Sequence, residues 1–389
     1  MPNTTNYSIT YPANTDLVTN GATQMQTIAT GFDTVVYDQI EYTWGRNVVH
    51  NPVMTLNYRG SQRFTSPVSE FVVDRWRIEK SVAPTSTPPA VTLAQLEYLT
   101  PQTGLPVWVP NAAQILVSGT TTGVTEYARM SQQIEDVTRL AGQTCKVSFY
   151  ARATSGTPKI GVSIDQVYGS GGIPSGEDTG TGTAVTISTT WTRYTVTLTP
   201  ATFVGKTIGT DGLNFSRLNF WLTAGTNLNT RSGSIGRQDG FTFQITGVQV
   251  ETDYVTELER RPMAVEEALC GRYFETTVGN NVFRSAGGFD AQNGSLTFTG
   301  GCITGGIGYI PAQFRWRKKV APTIILFTDE ASAVIGAIRY NRSGATGNAT
   351  GSTTERINTH SFRAVTGTVG AVSYVVVMFA FGWAADTGW

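Results

Sequence analysis

The sequence predicts an all-β protein, and three observations carry the prediction. Apolar and polar residues alternate with period two in many segments, as in Val147, Phe149 and Ala151 against Ser148, Tyr150 and Arg152. Such alternation gives a strand one face toward a core and one toward water. Glycine contributes 42 of the 389 residues, above its ordinary share of about 7%, and threonine crowds the same stretches, a composition suited to short strands joined by tight turns. Hydrophobic residues still make up 40%, enough apolar surface to offset the entropy of ordering the chain, so a disordered polymer is excluded. At roughly 150 residues per domain the length predicts two to three domains.

Taken in order, the expected elements are an N-terminal arm with a short helix (1–47), a β-sandwich (48–258), a connecting helix (259–275) and a second, C-terminal β-sandwich (276–389). The arm is polar and carries Pro2 and Pro12. Within it, residues 15–36 contain a helical pattern: Thr15 or Asp16 stands at a capping position, and Met25, Ile28 and Phe32 recur at spacings of three and four. A helix with so narrow an apolar stripe docks on something else rather than folding alone.

From about Val48 the period becomes two. Ile160, Val162 and Ile164 alternate with Gly161 and Ser163, and Tyr194, Val196 and Leu198 alternate with threonines. Leu218, Phe220 and Leu222 alternate with Asn219 and Trp221, and Phe241, Phe243 and Ile245 continue the pattern. Several half-buried strands with glycine-rich turns predict an antiparallel sandwich. Gly169 to Thr183 reads as a mobile surface loop.

Pro262 suits a first helical turn, Glu266 and Glu267 favour a helix start, and Val265, Leu269 and Tyr273 fall on one face. Beyond this helix the expected strands are 295–299, 322–328, 333–340 and 372–381, with Ser343 to Thr354 as a second glycine- and threonine-rich loop. The last strand is apolar on both faces, as expected of a strand buried twice, inside the domain or against another subunit. The run Ala371 to Phe381 spans about 11 residues, against the roughly 20 a membrane-spanning helix needs, so no membrane insertion is expected. The N-terminal residues lack a basic stretch followed by an apolar one, so no secretion signal is read there.

Charge excludes one class of function. Basic and acidic residues balance at 28 each, whereas an electrostatic nucleic-acid binder needs a basic excess to neutralise phosphates. Cys145, Cys270 and Cys302 are odd in number and widely spaced, which fits buried reduced thiols rather than a disulfide framework or zinc site. His50 and His360 have no partner at metal-ligand spacing, so no metal and no cofactor is expected. Pro200 to Thr207 ends like a phosphate loop but has proline where the first glycine must turn. Glu177, Asp178, Asp165, Asp211 and Asp239 are the available acids for a carboxylate-pair glycosidase, yet loop acids lack the rigid, buried setting that splits two carboxyl pKa values; no enzymatic activity is expected.

Two aromatics stand at outward positions of their strands: Trp221 among Leu218, Phe220 and Leu222, and Tyr150 between Phe149 and Ala151. An outward ring is a flat, low-entropy surface on which a sugar stacks. The competing reading is that a loop or another chain covers each ring. Trp221 and Tyr150 are therefore the candidate carbohydrate-binding residues.

One stretch is less generic. Gly247, Val248, Gln249, Val250 and Glu251, followed by Arg261, Pro262, Glu267, Leu269, Cys270, Arg272, Tyr273 and Phe274, resemble a strand-to-helix junction of phage tail-fibre-like virion appendage proteins. Gly271 departs from that pattern, which has glutamine there. Val72 to Trp76 and Gly142 to Ala153 resemble strands of the carbohydrate-binding-module-like jelly rolls in such proteins, and the N-terminal residues resemble their attachment arms. The resemblance implies a jelly roll for the first sandwich and a structural virion protein folded in a host cytoplasm. It implies attachment through the arm and its Met25, Ile28 and Phe32 stripe, contact of the β-domains with a host surface glycan or receptor, and assembly as a homotrimer. Its partners would be phage tail proteins or, for a capsid-attached head fibre or decoration protein, capsid proteins. A polysaccharide depolymerase would instead carry long parallel β-helix repeats, and none is present.

Overall fold

A computed structural model describes residues 45–59, 62–64, 69–81, 89–119, 123–277, 296–302, 309–328, 337–342, 345–366 and 375–386, with a helical segment, α1, at residues 23–31. Twelve strands before residue 253 form two six-stranded antiparallel sheets. The first sheet orders β1 (Gln62–Phe64), β4 (Ala90–Glu97), β5 (Asn111–Ser118), β12 (Phe241–Thr252), β7 (Cys145–Ser155) and β10 (Thr192–Leu198). The second orders β2 (Ser69–Val73), β3 (Trp76–Ser81), β6 (Tyr127–Glu135), β11 (Phe215–Ala224), β8 (Lys159–Val167) and β9 (Thr183–Thr186). Successive strands pass back and forth between the sheets, so the all-β sandwich read from the sequence is observed.

The core lies between the sheets, built from the inward phase of each alternation. Val147, Phe149 and Ala151 of β7 meet Leu218, Phe220 and Leu222 of β11, with Phe243 and Ile245 of β12 alongside. Phe149 and Phe220 cross edge to face at 5.2 Å, Trp76 lies 6.1 Å from Phe220, and Tyr194 stacks on Phe149 at 5.6 Å. Aromatic pairs in these geometries add to what burial alone contributes. Residues 45–59, expected to begin the period-two pattern, are instead irregular. They are nevertheless tied in: the Asn47 side chain bridges Val49 and Val248–Val250, and that of Asn51 holds Leu56 and Asp74. The Val72 to Trp76 stretch is a hairpin whose turn places Arg75 at φ 76°.

The glycine-rich Gly169 to Thr183 segment differs from the mobile loop expected. Gln166 and Asp178 exchange two backbone hydrogen bonds (2.8 and 3.0 Å), Ser175 N–H donates to Thr207 O (3.0 Å) and Gly182 N–H to Thr230 O (2.8 Å). Gly180 lies so close to Ile164 of β8 that a Cβ would overlap its carbonyl. The glycines permit a backbone to lie flat on a sheet rather than supplying looseness.

The connecting helix α3 spans Met263–Gly271 with Pro262 as its N-cap residue. Its buried side is not the Val265–Leu269 face. Glu266 and Cys270 are buried instead, because Glu266 accepts from the Asn51 backbone (2.9 Å) and from Arg261 (2.9 Å). The helix also ends earlier than expected, since Phe274–Thr276 is strand β13.

After α3, β14 (Leu296–Cys302), β16 (Thr323–Phe327), β17 (Ala337–Arg342) and β13 all pair with β21 (Val375–Asp386), and β15 (Tyr309–Gln313) pairs with β20 (Ser361–Val365), which in turn pairs with β19 (Thr353–Glu355). The expected loop at Ser343 to Thr354 is in large part strand β18 (Ala345–Thr350), hairpinned to β17. Among the described residues, strands before and after α3 share no sheet. The expectation that the last strand is apolar on two buried faces falls on side chains outside the described residues.

Candidate functional site

The outer face of the first sheet presents a row of polar side chains ending at two aromatic rings. Gln114 of β5, Gln244 of β12 and Arg152 of β7 are direct cross-strand partners, all at outward positions. The Gln244 side-chain amide donates to Gln114 Oε1 (2.9 Å), while its own Oε1 accepts from Arg152 Nε (2.8 Å) and Tyr98 Oη (3.0 Å). The Arg152 guanidinium lies over the Trp191 ring at 5.1 Å, and Tyr98 meets Trp191 edge-on at 6.4 Å. Burial raises the Tyr98 phenol above its ordinary pKa, with Arg152 opposing, so it is a donor at neutral pH. Gln244 and Trp191 are buried, whereas Gln114, Arg152 and Tyr98 are half-exposed, and Leu99 and Val107 stand in solvent nearby in sequence. Three strands at the usual spacing of about 4.8 Å make a strip roughly 10 Å across. Its half-exposed members, the Gln114 amide, the Arg152 guanidinium and the Tyr98 phenol, offer a polyhydroxylated ligand donors and acceptors, with Gln244 and Trp191 buried behind them.

Neither ring singled out from the sequence is such a platform. Trp221 and Tyr150 do occupy the outward phase, but Trp221 is 0% exposed and Tyr150 8%. Trp221 is enclosed by Tyr127, Ala224, Leu228 and Ile235 and donates to Ser163 Oγ (2.9 Å). Tyr150 is enclosed by Leu105, Val109 and Leu258, from segments folded over β7. The covered-ring reading holds for both, and the exposed tryptophan-and-tyrosine platform is corrected. For the arm stripe, Met25 is 71% exposed and Ile28 half-buried, while Phe32 lies outside the described residues.

The outer face of the second sheet carries an ionic cluster instead. Asp165 of β8, fully buried, accepts from Arg231 (2.7 Å), Asn219 (2.9 Å) and Arg217 (3.1 Å), with Arg129 at 3.5 Å. Arg129 also pairs with Glu79, and Arg217 and Arg231 both engage Glu177. Arg231 comes from α2 (Asn229–Ser232). Burial alone would raise the Asp165 carboxyl; Arg231, Arg217 and Arg129 outweigh it and hold it below its usual range.

The remaining acids are engaged in turns. Asp178 accepts from Tyr168 Oη (2.6 Å) and Lys206, Asp211 from Ser170, and Asp239 from the Gly119 backbone. Lys206, the lysine of the phosphate-loop-like stretch, is thus an ion-pair partner. His50 is half-buried 5.8 Å from the Tyr273 ring and His360 is exposed. Cys145 and Cys270 are buried free thiols, with Cys145 pushed up to about 11 by burial and the nearby Asp253; the Cys302 side chain lies outside the described residues.

No family model matches this chain, and no curated protein matches it. Solved structures similar to it include the enzymatically active domain of tailspike protein 4 of bacteriophage CBA120 (15% identity, TM-score 0.29, covering 53% of this chain and 21% of that one). Others are the family 11 carbohydrate-binding module of Clostridium thermocellum in complex with a β-1,3-1,4-mixed-linked tetrasaccharide (13% identity, TM-score 0.28, 52% and 99%), and the N-terminal cellulose-binding domain of Cellulomonas fimi β-1,4-glucanase C (15% identity, TM-score 0.25, 42% and 90%).

The sequence reading missed Gln114, Gln244, Tyr98 and Trp191 as a unit. Each outward glutamine was visible in its own alternation, but only the register of β5, β12 and β7 makes them a row.

Proposed function

We propose that this chain is a structural appendage protein of a phage virion, of tail-fibre type, that attaches through its N-terminal arm and touches a glycan of the host surface. It performs no catalysis and assembles as a homotrimer. The observation that carries the glycan part is the Gln114–Gln244–Arg152 row with Tyr98 and Trp191 beside it, an outward row of two amides and a guanidinium next to a phenol. The appendage part rests on the junction resemblance. The residues concerned make a fixed joint: Arg261 is held between Glu259, Glu266 and backbone carbonyls, and Arg272 and Tyr273 both bind Glu135 of β6. The engagement of Asp165, Asp178, Asp211 and Asp239 in ion pairs and turns supports a non-enzymatic role.

Two experiments test this. Immunogold labelling of purified virions should place the protein at a fixed site on tail or capsid, and its absence from particles overturns the appendage reading. A glycan array probed with the intact chain and with Gln244→Ala should show neutral-glycan binding that falls at least tenfold in the variant. Unchanged binding removes the strip as the site.

A further inference from the structure

We propose that Arg217 and Arg231 form a second site, on the opposite sheet, for the carboxylate of an acidic sugar, and that the chain's own Glu177 fills it in the free protein. The two guanidiniums are set from below by Asp165, at 3.1 and 2.7 Å, and that carboxylate is wholly buried. Glu177 lies above them and is 37% exposed on its side chain. Asp165 therefore positions the arginines, and Glu177 occupies the solvent side of the same pair.

Charge and hydrogen bonding both leave room for an anion. Apart from Glu177 the cluster holds Arg77, Arg129, Arg217 and Arg231 against Glu79 and Asp165, an excess of positive charge in a largely buried setting where it is poorly screened. Both recorded hydrogen bonds to Glu177 fall on one oxygen, Oε1, from one terminal nitrogen of each arginine. Meanwhile Arg217 Nε and Arg231 Nε are buried with no hydrogen-bond partner. An arginine fork binds a carboxylate best with two parallel N–H groups. Glu177 uses half of each fork, and a carboxylate not tethered to the loop is free to use more.

Exchange needs only a side-chain rotation. The backbone next to Glu177 is fixed, because Asp178 is bonded to Gln166 and paired with Lys206. In sequence Glu177 is flanked by Ser175, Gly176, Thr179 and Thr181, uncharged residues, and by Asp178, which is paired with Lys206. The choice of a sugar over another carboxylate rests on the glycan-contacting reading above; the carboxylate site itself does not.

The test is calorimetric titration at low salt with oligogalacturonate, its methyl ester and polyglutamate. Glu177→Gln should bind oligogalacturonate at least tenfold more tightly than the unaltered chain. Adding Arg231→Gln should abolish the gain, and the methyl ester should show none. No gain, or an equal gain for the ester, overturns the site; an equal gain for polyglutamate overturns the sugar assignment. Arginine Nε resonances of the unaltered chain give a measurement that needs no variant: they should shift on adding oligogalacturonate, and fixed resonances overturn the proposal. Gln244→Ala should weaken neutral-glycan binding and leave the gain intact, so unchanged neutral-glycan binding alone counts against the strip and absence of the gain alone counts against this site.

Discussion

A glutamine at position 271, as the resembling junctions have it, would place its Cβ inside the ring of Trp316, whose Cε3 and Cζ3 lie against Gly271. The departure from the pattern thus has a local cause that lies 45 residues away in the chain. Gly271→Gln is expected to destabilise the chain by about 1–3 kcal/mol, as overpacking does, read as a lower midpoint in denaturant. Asp165 is the second informative residue. Asp165→Ala leaves three guanidiniums facing one another without their shared counter-ion, and breaking a buried pair in this way costs about 3–5 kcal/mol. A loss below about 1 kcal/mol would mean that Glu79 and Glu177 suffice to balance the guanidiniums. Asp165 was visible in the sequence only as one of five candidate acids; its partners Arg129, Arg217 and Arg231 come from three other elements, so no spacing rule could collect them.

At the scale of elements, alternation predicted which face of β11 is dry, and Leu218, Phe220 and Leu222 do point into the core. Phe220→Ala should cost about 3–5 kcal/mol, measured by equilibrium unfolding. What alternation could not supply is what lies on the other face. Trp221 is covered partly through α2, four residues with no apolar period, which reaches β8 only because Gly161 has no side chain: a Cβ there would overlap the Ser232 carbonyl. Gly161→Ala should therefore displace α2 and move Trp221 toward water, seen as a red shift in tryptophan emission that is absent when Trp221 is replaced by Phe. The strand β18 was hidden for a related reason. Its Thr346, Gly347, Asn348 and Thr350 lack the apolar alternation that marks a strand, and its pairing with β17 defines it instead.

Across the whole molecule, the joint between the first sandwich and the strands that follow α3 is ionic. Arg272, Tyr273 and Lys319 converge on Glu135, and Lys318 is buried against Glu275 (2.6 Å) and the Gly271 carbonyl. Burial would raise the Glu135 carboxyl, but hydrogen bonds from Arg272 and Tyr273 and the charges of Arg272 and Lys319 bring it from 4.5 down to about 2. A folded-state value below the unfolded one means that the joint's stabilisation is complete above about pH 4.5 and is lost as pH falls toward 2. Glu79 and Asp165 shift in the same direction. The melting temperature should therefore fall steadily between pH 4.5 and 2, and Glu135→Gln should flatten part of that slope; an unchanged slope would show that the joint does not contribute.

The sequence by itself determined the all-β class, the inward residues of the first sandwich, the position of α3 and the near absence of net charge, because these depend on local period and composition. Only the tertiary structure decided which outward residues meet. It buried Trp221 and Tyr150, assembled Gln114, Gln244 and Arg152 into one row, and turned the glycine-rich segment into a cover over β8. A strand's period states which side chains leave the core, whereas what they then encounter depends on register and on segments distant in the chain, which carry no periodic signal of their own.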